Sequence, residues 1–521
     1  MLKFAAYRDG QPVNRMDLSG AYLFGQDRVP VRADLAAEKG EVCCIKRAAG
    51  ACGLVLLWDA GESGRFLLPT TRLPERESPY NLNLEIARAV VSMLFRKYEE
   101  WGLFDYEDAV ELNRELGEVR RRYIEALKAT DPGEAASCAD ETVARGVTLG
   151  EKMALFHADV LLKRRKNAGP GWMPGFGCRV DLFSTGETYV SRMREAFDFI
   201  TVPVPWKHAE PREHQFQYSQ IDAWINWATK LKKPVHLGPV ISFEPAELPE
   251  WLYLWEGDYD ALRDVIYEHV ERLVQRYGDK VQVWNVVSGI HAHNSFDLNF
   301  EQIMELTRLT CGLIKRLAPQ SEVVLDLVMP WGEYYARNQR TIPPLLYADM
   351  AVQSGVKFDT IGLQIYTGVP VDGYYVRDLM QISSLLDEFV SFGKPVRITA
   401  CQAPSDVKSD PWDAWEGEVS VTKAGKWHSP WSPLLQAEWV QAFSRVCISK
   451  PFVQSICWRD LADYEGHFIP HGGLCRNNLE PKLAFRELRN FRVWLRSASA
   501  SDADENQTTA AEQGDQQSDG T

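Results

Sequence analysis

The chain has 521 residues, 45% of them hydrophobic, and a formal net charge of −14. That length accommodates two or three domains around a large apolar core. The acidic balance excludes nucleic acid and anionic membrane as main partners, because both require basic surfaces.

Met1–Gly10 carries no apolar export core, and no run approaches the ~18 apolar residues of a membrane span. A cytoplasmic protein is the expectation. The ten cysteines are scattered, with only Cys43 and Cys44 adjacent and no C-x-x-C spacing. Free thiols are expected rather than a disulfide framework or structural zinc, and no cofactor is called for.

Residues 1–80 read as a β-rich domain: the short apolar runs 21–24, 29–31, 41–45 and 53–58 are punctuated by Gly, Asp and Pro. Residues 81–168 read as a helical connector, with Leu84, Ala87, Val90, Val91 and Leu94 at helical spacing. From 169 to 496 strand and helix patterns alternate. Apolar runs at 179–184, 197–204, 234–242, 281–288, 322–330, 359–367, 395–401 and 453–459 suit parallel strands buried on both faces. The helix pattern of Tyr259–Tyr277 is one of those between them. Eight such units predict an α/β fold, a (β/α)8 TIM barrel. The segment 497–521, without aromatics, reads as a disordered acidic tail.

Several barrel segments occur in a telling order: Phe197–Thr201 followed by Trp206 and Glu210-Pro211, then Leu248-Pro249-Glu250-Trp251, Val283–Gly289, Ile361-Gly362-Leu363-Gln364, and finally Leu474, Asn478 and Pro481-Lys482. Over about residues 176–496 the chain resembles family 10 glycoside hydrolases, the endo-1,4-beta-xylanases. The resemblance implies a barrel acting on carbohydrate with two catalytic glutamates at strand ends. The acid/base position falls on Gly289, after Ser288, and the nucleophile position on Ala400. The family's sugar-holding Asn-Glu-x-Lys falls on Val202–Pro205, and its Gln-x-His becomes Gln364-Ile365-Tyr366. Retaining hydrolysis requires two carboxyl groups about 5–5.5 Å apart, and glycine and alanine supply neither.

Other polar groups near strand ends are weak catalytic candidates. Glu244 is either a relocated acid or a solvated loop residue. Asp326, within an apolar strand, is either a site acid or a structural carboxylate paired with Arg397 or another basic group. Asp460, Asp463 and Asp181 each face a ligand or cap a helix. His291 and His293 with His467 and His471 are a possible metal set, but their loops are not adjacent, so polar loop residues are the expectation and no metal site is assigned. Cys401 reads as a small buried hydrophobe, with a thiol–imidazole pair as the alternative.

Aromatic residues are the stronger remnant. By the resemblance Trp458 lies under the sugar. Trp412, Trp415, Trp427 and Trp431 crowd the long loop after the seventh strand, as a ligand platform or as packing, and Trp206 lies near another strand end. With Gln364 and Tyr366 they form the expected ligand-binding set. The leading expectation is a catalytically altered barrel, a pseudo-glycosidase, holding a carbohydrate or related small ligand in its mouth. The alternatives are an O-glycosyl hydrolase using relocated carboxylates and an inert barrel serving as an interaction scaffold.

Overall fold

The architecture is that of a computed structural model, which describes residues 1–38, 40–47, 49–167 and 174–496. The expected tail, 497–521, lies outside the described residues, as does 168–173 at the end of the connector.

Eight strands form a closed parallel barrel. In order they are Gly175–Arg179, Phe199–Val202, Val235–Leu237, Val283–Ser288, Glu322–Leu327, Thr360–Tyr366, Val396–Gln402 and Val453–Trp458. Each pairs with the next, and the eighth closes on the first, with Cys178 opposite Trp458. Ile241–Ser242 extends the third strand along the fourth. The first strand lies N-terminal to the predicted run 179–184. Gly175 and Gly177 hide it from an apolar-run reading, yet both are required: a Cβ on Gly177 would sit 2.1 Å from the Phe199 ring.

Ahead of the barrel lie the two-stranded pair Tyr7–Arg8 and Gln11–Pro12 and two small sheets. Tyr22–Phe24, Pro30–Val31, Gly53–Asp59 and Gly64–Pro69 form one, Leu2–Ala5, Ala33–Glu38, Glu41–Lys46 and Tyr80–Asn81 the other. The connector is three helices, Leu82–Glu100, Val110–Lys128 and Pro132–Asn167. The first starts where the Asn81 side chain caps Leu84 N–H, and its apolar stripe Ile86, Val90 and Leu94 is buried.

The barrel and the N-terminal sheets share hydrogen bonds. Lys426–Trp427, from the long loop after the seventh strand, adds an antiparallel edge to Gly64–Pro69. The backbones approach so closely that a Cβ on Gly64 would meet Lys426 O at 2.0 Å. Lys97 of the first helix binds Asp387 at 2.9 Å, and Lys450 binds the same carboxylate at 2.7 Å, joining connector and barrel helices.

Candidate functional site: the barrel mouth

Ser288, Asp326 and Gly362 lie side by side in register on strands four, five and six. The Asp326 carboxylate is fully buried and points inward, since its partners come from three other strands. Oδ2 accepts from Asn285 Nδ2 at 3.0 Å, Ser288 Oγ at 2.7 Å and Gln364 Nε2 at 2.6 Å, and Oδ1 accepts from the Thr399 hydroxyl. Local irregularities make this possible. Asn285 and Ser288, three residues apart, would face opposite sides of a regular strand. A register shift between Asn285 and Val287 turns both inward, and a shift between Leu363 and Gln364 places Thr399 as the extra residue of strand seven. Gly362 leaves the carboxylate its space, because a Cβ there would lie 2.3 Å from Oδ1.

Asp326 is therefore satisfied by hydrogen bonds rather than by Arg397. That guanidinium clasps Glu322 with two contacts of 2.6 Å.

Above this layer the mouth is packed. Ala400, 8% exposed, belongs to an apolar cluster separate from the main core, with Val328, Met329, Tyr366, Tyr374, Phe468 and others around it. Tyr366 and Phe468 rings are 4.7 Å apart, Tyr374 and Phe468 5.5 Å, and Trp415 and Phe468 6.0 Å. Trp415 Nε1 donates to Phe468 O at 3.1 Å. Arg459 lies 4.2 Å over the Phe468 ring and donates to Tyr366 Oη at 2.9 Å, and Tyr366 Oη in turn donates to Gln364 Oε1 at 3.1 Å. Burial drives the Tyr366 phenol above its ordinary pKa.

Gly289, where the resemblance placed the acid/base residue, has φ 68°, a left-handed backbone that side chains rarely adopt. A Cβ there would come 2.9 Å from Val328 Cγ2 and 3.1 Å from His293 Cδ2. Burial lowers the His293 imidazole, and the charge of Glu244 partly offsets this. Glu244 itself is half-buried. Asp460 is buried and committed: it accepts from Tyr464 Oη at 2.5 Å and Phe468 N–H at 2.9 Å. Burial pushes its carboxyl up, but Arg459 and Arg179 outweigh that and hold it below the usual range.

The remaining candidates separate. Trp412 is 53% exposed on the rim and Trp415 half-buried, whereas Trp427 and Trp431 are each 4% exposed. Trp427 Nε1 donates to Glu151 of the third connector helix at 2.7 Å. Trp458 is buried, donating to Gly472 O at 3.2 Å. Trp206 is buried against His269, ring centroids 4.0 Å apart, and bonded to Glu210 at 3.1 Å. Asp181 accepts from Ser184 and Phe183 N–H, and Asp463 pairs with Lys482 at 2.6 Å. His291 Nδ1 meets Tyr334 Oη at 2.7 Å, while His467 and His471 converge on Asp410 at 2.9 and 3.2 Å, so the two histidine pairs are engaged apart. Among the described residues no group of three or more His, Cys, Asp or Glu is arranged to hold a metal ion. Cys401 donates to Cys457 O at 3.4 Å, and burial pushes its thiol well up. Asn285, Thr399, Arg459, Phe468 and Asp410 were not singled out from sequence; the signals for the Asp326 network were its charge within an apolar strand and the Gly362–Gln364 pattern.

Residues 174–307, spanning the first four strands, match the model of glycosyl hydrolase family 10. An endo-1,4-beta-xylanase B of Thermotoga neapolitana is 21% identical over 220 residues, 41% of this chain and 60% of that protein. Xylanase Xyn10C of Cellvibrio japonicus is 21% identical over 201 residues, 37% of this chain and 32% of that protein. Both alignments thus span less than two thirds of the relative. The crystal structure of xylanase B from Clostridium stercorarium F9 superposes with a TM-score of 0.46 at 14% identity, covering 61% of this chain and 96% of that one. Gly289 falls inside the matched segment and Ala400 beyond it, and over its first four barrel strands the chain resembles glycosyl hydrolase family 10.

Proposed function

We propose that this protein is a carbohydrate-binding pseudo-glycosidase: a xylanase-like barrel that engages a short glycan at its rim and does not cleave it by the paired-glutamate route. The state of Asp326 carries this reading. The carboxylate inside the barrel accepts four side-chain hydrogen bonds from three other strands, which supports a structural role for it rather than one as acid or nucleophile. Support comes also from the two family positions, one a left-handed glycine and the other an alanine within an apolar cluster. The indole of Trp412 stands exposed beside Trp415 on the loop after strand seven, offering the flat apolar face on which a sugar ring stacks.

Packing of Tyr366, Tyr374 and Phe468 over the strand ends favours a second reading, an inert barrel serving as a scaffold. Calorimetric titration with xylo-, cello- and manno-oligosaccharides, alongside assays for released reducing ends, decides between them. Binding without cleavage is expected, with Trp412→Ala weakening it by about 0.5–1.5 kcal/mol, up to roughly tenfold. Absence of binding to every glycan leaves the scaffold reading. Cleavage lost in Glu244→Gln replaces both with an O-glycosyl hydrolase using a relocated carboxylate.

A further inference from the structure

Away from the barrel mouth, a cavity of ≈ 420 Å³ opens between the N-terminal sheet, the first connector helix and the barrel loops after strands five and six. Its volume falls in the range of small-molecule sites. Phe24, Val55, Leu68, Met93, Val147 and Leu385 give it an apolar wall drawn from the sheet, two connector helices and a barrel helix. Trp331 and Arg377 complete the barrel side, the guanidinium 5.0 Å from the indole ring.

The polar groups on that wall are incompletely paired. Arg377 is 4% exposed and spends its terminal nitrogens on Glu333 and, at 3.3 Å, on Leu67 O. Its Nε has no hydrogen-bond partner among the described residues, and neither does the hydroxyl of Ser384, 7% exposed. Buried polar atoms are seldom left so, and a site with few polar groups in an apolar wall is the usual design for a small ligand.

Charge at the rim adds direction. Arg28, Arg72 and Arg96 all line the cavity. Of the carboxylates there, Glu388 is taken by Arg28 at 2.8 Å, and Asp378 caps its helix by accepting from Gln381 N–H at 2.9 Å. Asp27 also lines it, so an acid is present beside the three guanidiniums. Partial burial lowers Arg96 and the neighbouring charge of Arg28 lowers it further, while Glu100, 3.6 Å away, and Glu388 work against the shift.

The geometry points to a binding site for an apolar monocarboxylate, its hydrocarbon body against Phe24, Met93 and Leu385 and its carboxylate toward Arg96 and Arg72. The site is independent of the glycan reading, since it uses none of the mouth residues.

Decanoate and decanol, titrated into the full-length protein, test it. Decanoate raises the thermal midpoint by several degrees at saturation. In the protein labelled with 13C-methyl methionine, decanoate shifts the Met93 and Met380 resonances and leaves that of Met304, in the helix Phe300–Leu317, in place. Arg96→Ala weakens decanoate about tenfold, the loss of one charge-assisted contact, and leaves decanol unaffected. Met93→Trp, which fills the cavity, abolishes the decanoate response. Equal affinity for decanol and decanoate overturns the assignment to carboxylates. Failure of both probes to shift Met93, or full binding by a folded Met93→Trp, overturns the site.

Discussion

Gln364 and Asp326, on neighbouring strands, meet at 2.6 Å inside the barrel, and the same Gln364 amide touches Ser288 Oγ at 3.0 Å. The contact makes the carboxylate a node that ties strand four to strands five, six and seven. Removing it leaves buried donors without an acceptor. Asp326→Ala is expected to cost about 3–5 kcal/mol, and Asp326→Asn about 1–3 kcal/mol. Urea denaturation measures both. A stable Asp326→Asn variant that lost a wild-type hydrolytic activity would instead make this group a catalyst.

Placing glutamates at Gly289 and Ala400, the positions the resemblance assigns to catalysis, is expected to damage the fold before it yields chemistry. Gly289→Ala alone tests the left-handed backbone and is expected to cost about 1–2 kcal/mol. Gly289→Glu adds the contact with Val328, and Ala400→Glu places a carboxylate among Tyr366, Tyr374 and Phe468. The double variant should melt well below wild type and release no sugar from aryl glycosides. Melting curves and the aryl glycoside assay check each half of that statement.

The barrel was legible because its strands are buried on both faces and read as apolar runs, and the connector because its stripe repeats at helical spacing. The first strand was not, since Gly175 and Gly177 exist to make room for Phe199. Asp326 stood out as a charge in an apolar strand, yet its partners depend on register shifts that one sequence does not reveal. The tryptophans of the long loop illustrate the same limit. Trp412 and Trp427 are close in sequence, but one faces solvent and the other lies against Glu151, a pairing set by a contact across 276 residues.

Stability should depend on pH through Asp410 and His467. Burial would raise Asp410, but His467 and His471 hold it well below the usual carboxylate range. Burial would lower His467, but the bond to Asp410 leaves it above the ordinary imidazole value. The depressed acid contributes above about pH 4 and loses its share as the pH falls through its folded pKa. The raised histidine contributes fully below about pH 6.5 and loses its share as the pH rises through its own. The pair is therefore worth most between about pH 4 and 6.5. His428, raised chiefly by its hydrogen bond to Glu151, adds a smaller effect of the same sign because it is 40% exposed. The urea-midpoint gap between wild type and His467→Gln should be wide at pH 5.5 and narrow at pH 9. A constant gap would refute the assignment.

The strap formed by Lys426–Trp427 should be costly to loosen. Trp427→Ala removes a buried indole and its bond to Glu151, for an expected loss of about 3–5 kcal/mol. Gly64→Ala should separate the same edge, since its Cβ would meet the Lys426 carbonyl and His428 N at a positive φ of 128°. In both variants proteolysis should cut the segment 403–432 faster than in wild type. Unchanged cleavage would mean that the loop is held elsewhere.

That strap also sets an order of events during synthesis. Gly64–Pro69 emerges early from the ribosome, but its partner edge at Lys426–Trp427 is made more than three hundred residues later. Until then the outer backbone donors and acceptors at Gly64 and Arg65 stand open, the kind of edge that recruits stray strands. The nascent chain thus passes through a long interval in which its N-terminal sheet is unfinished, and a chaperone acting on this protein would find its work there.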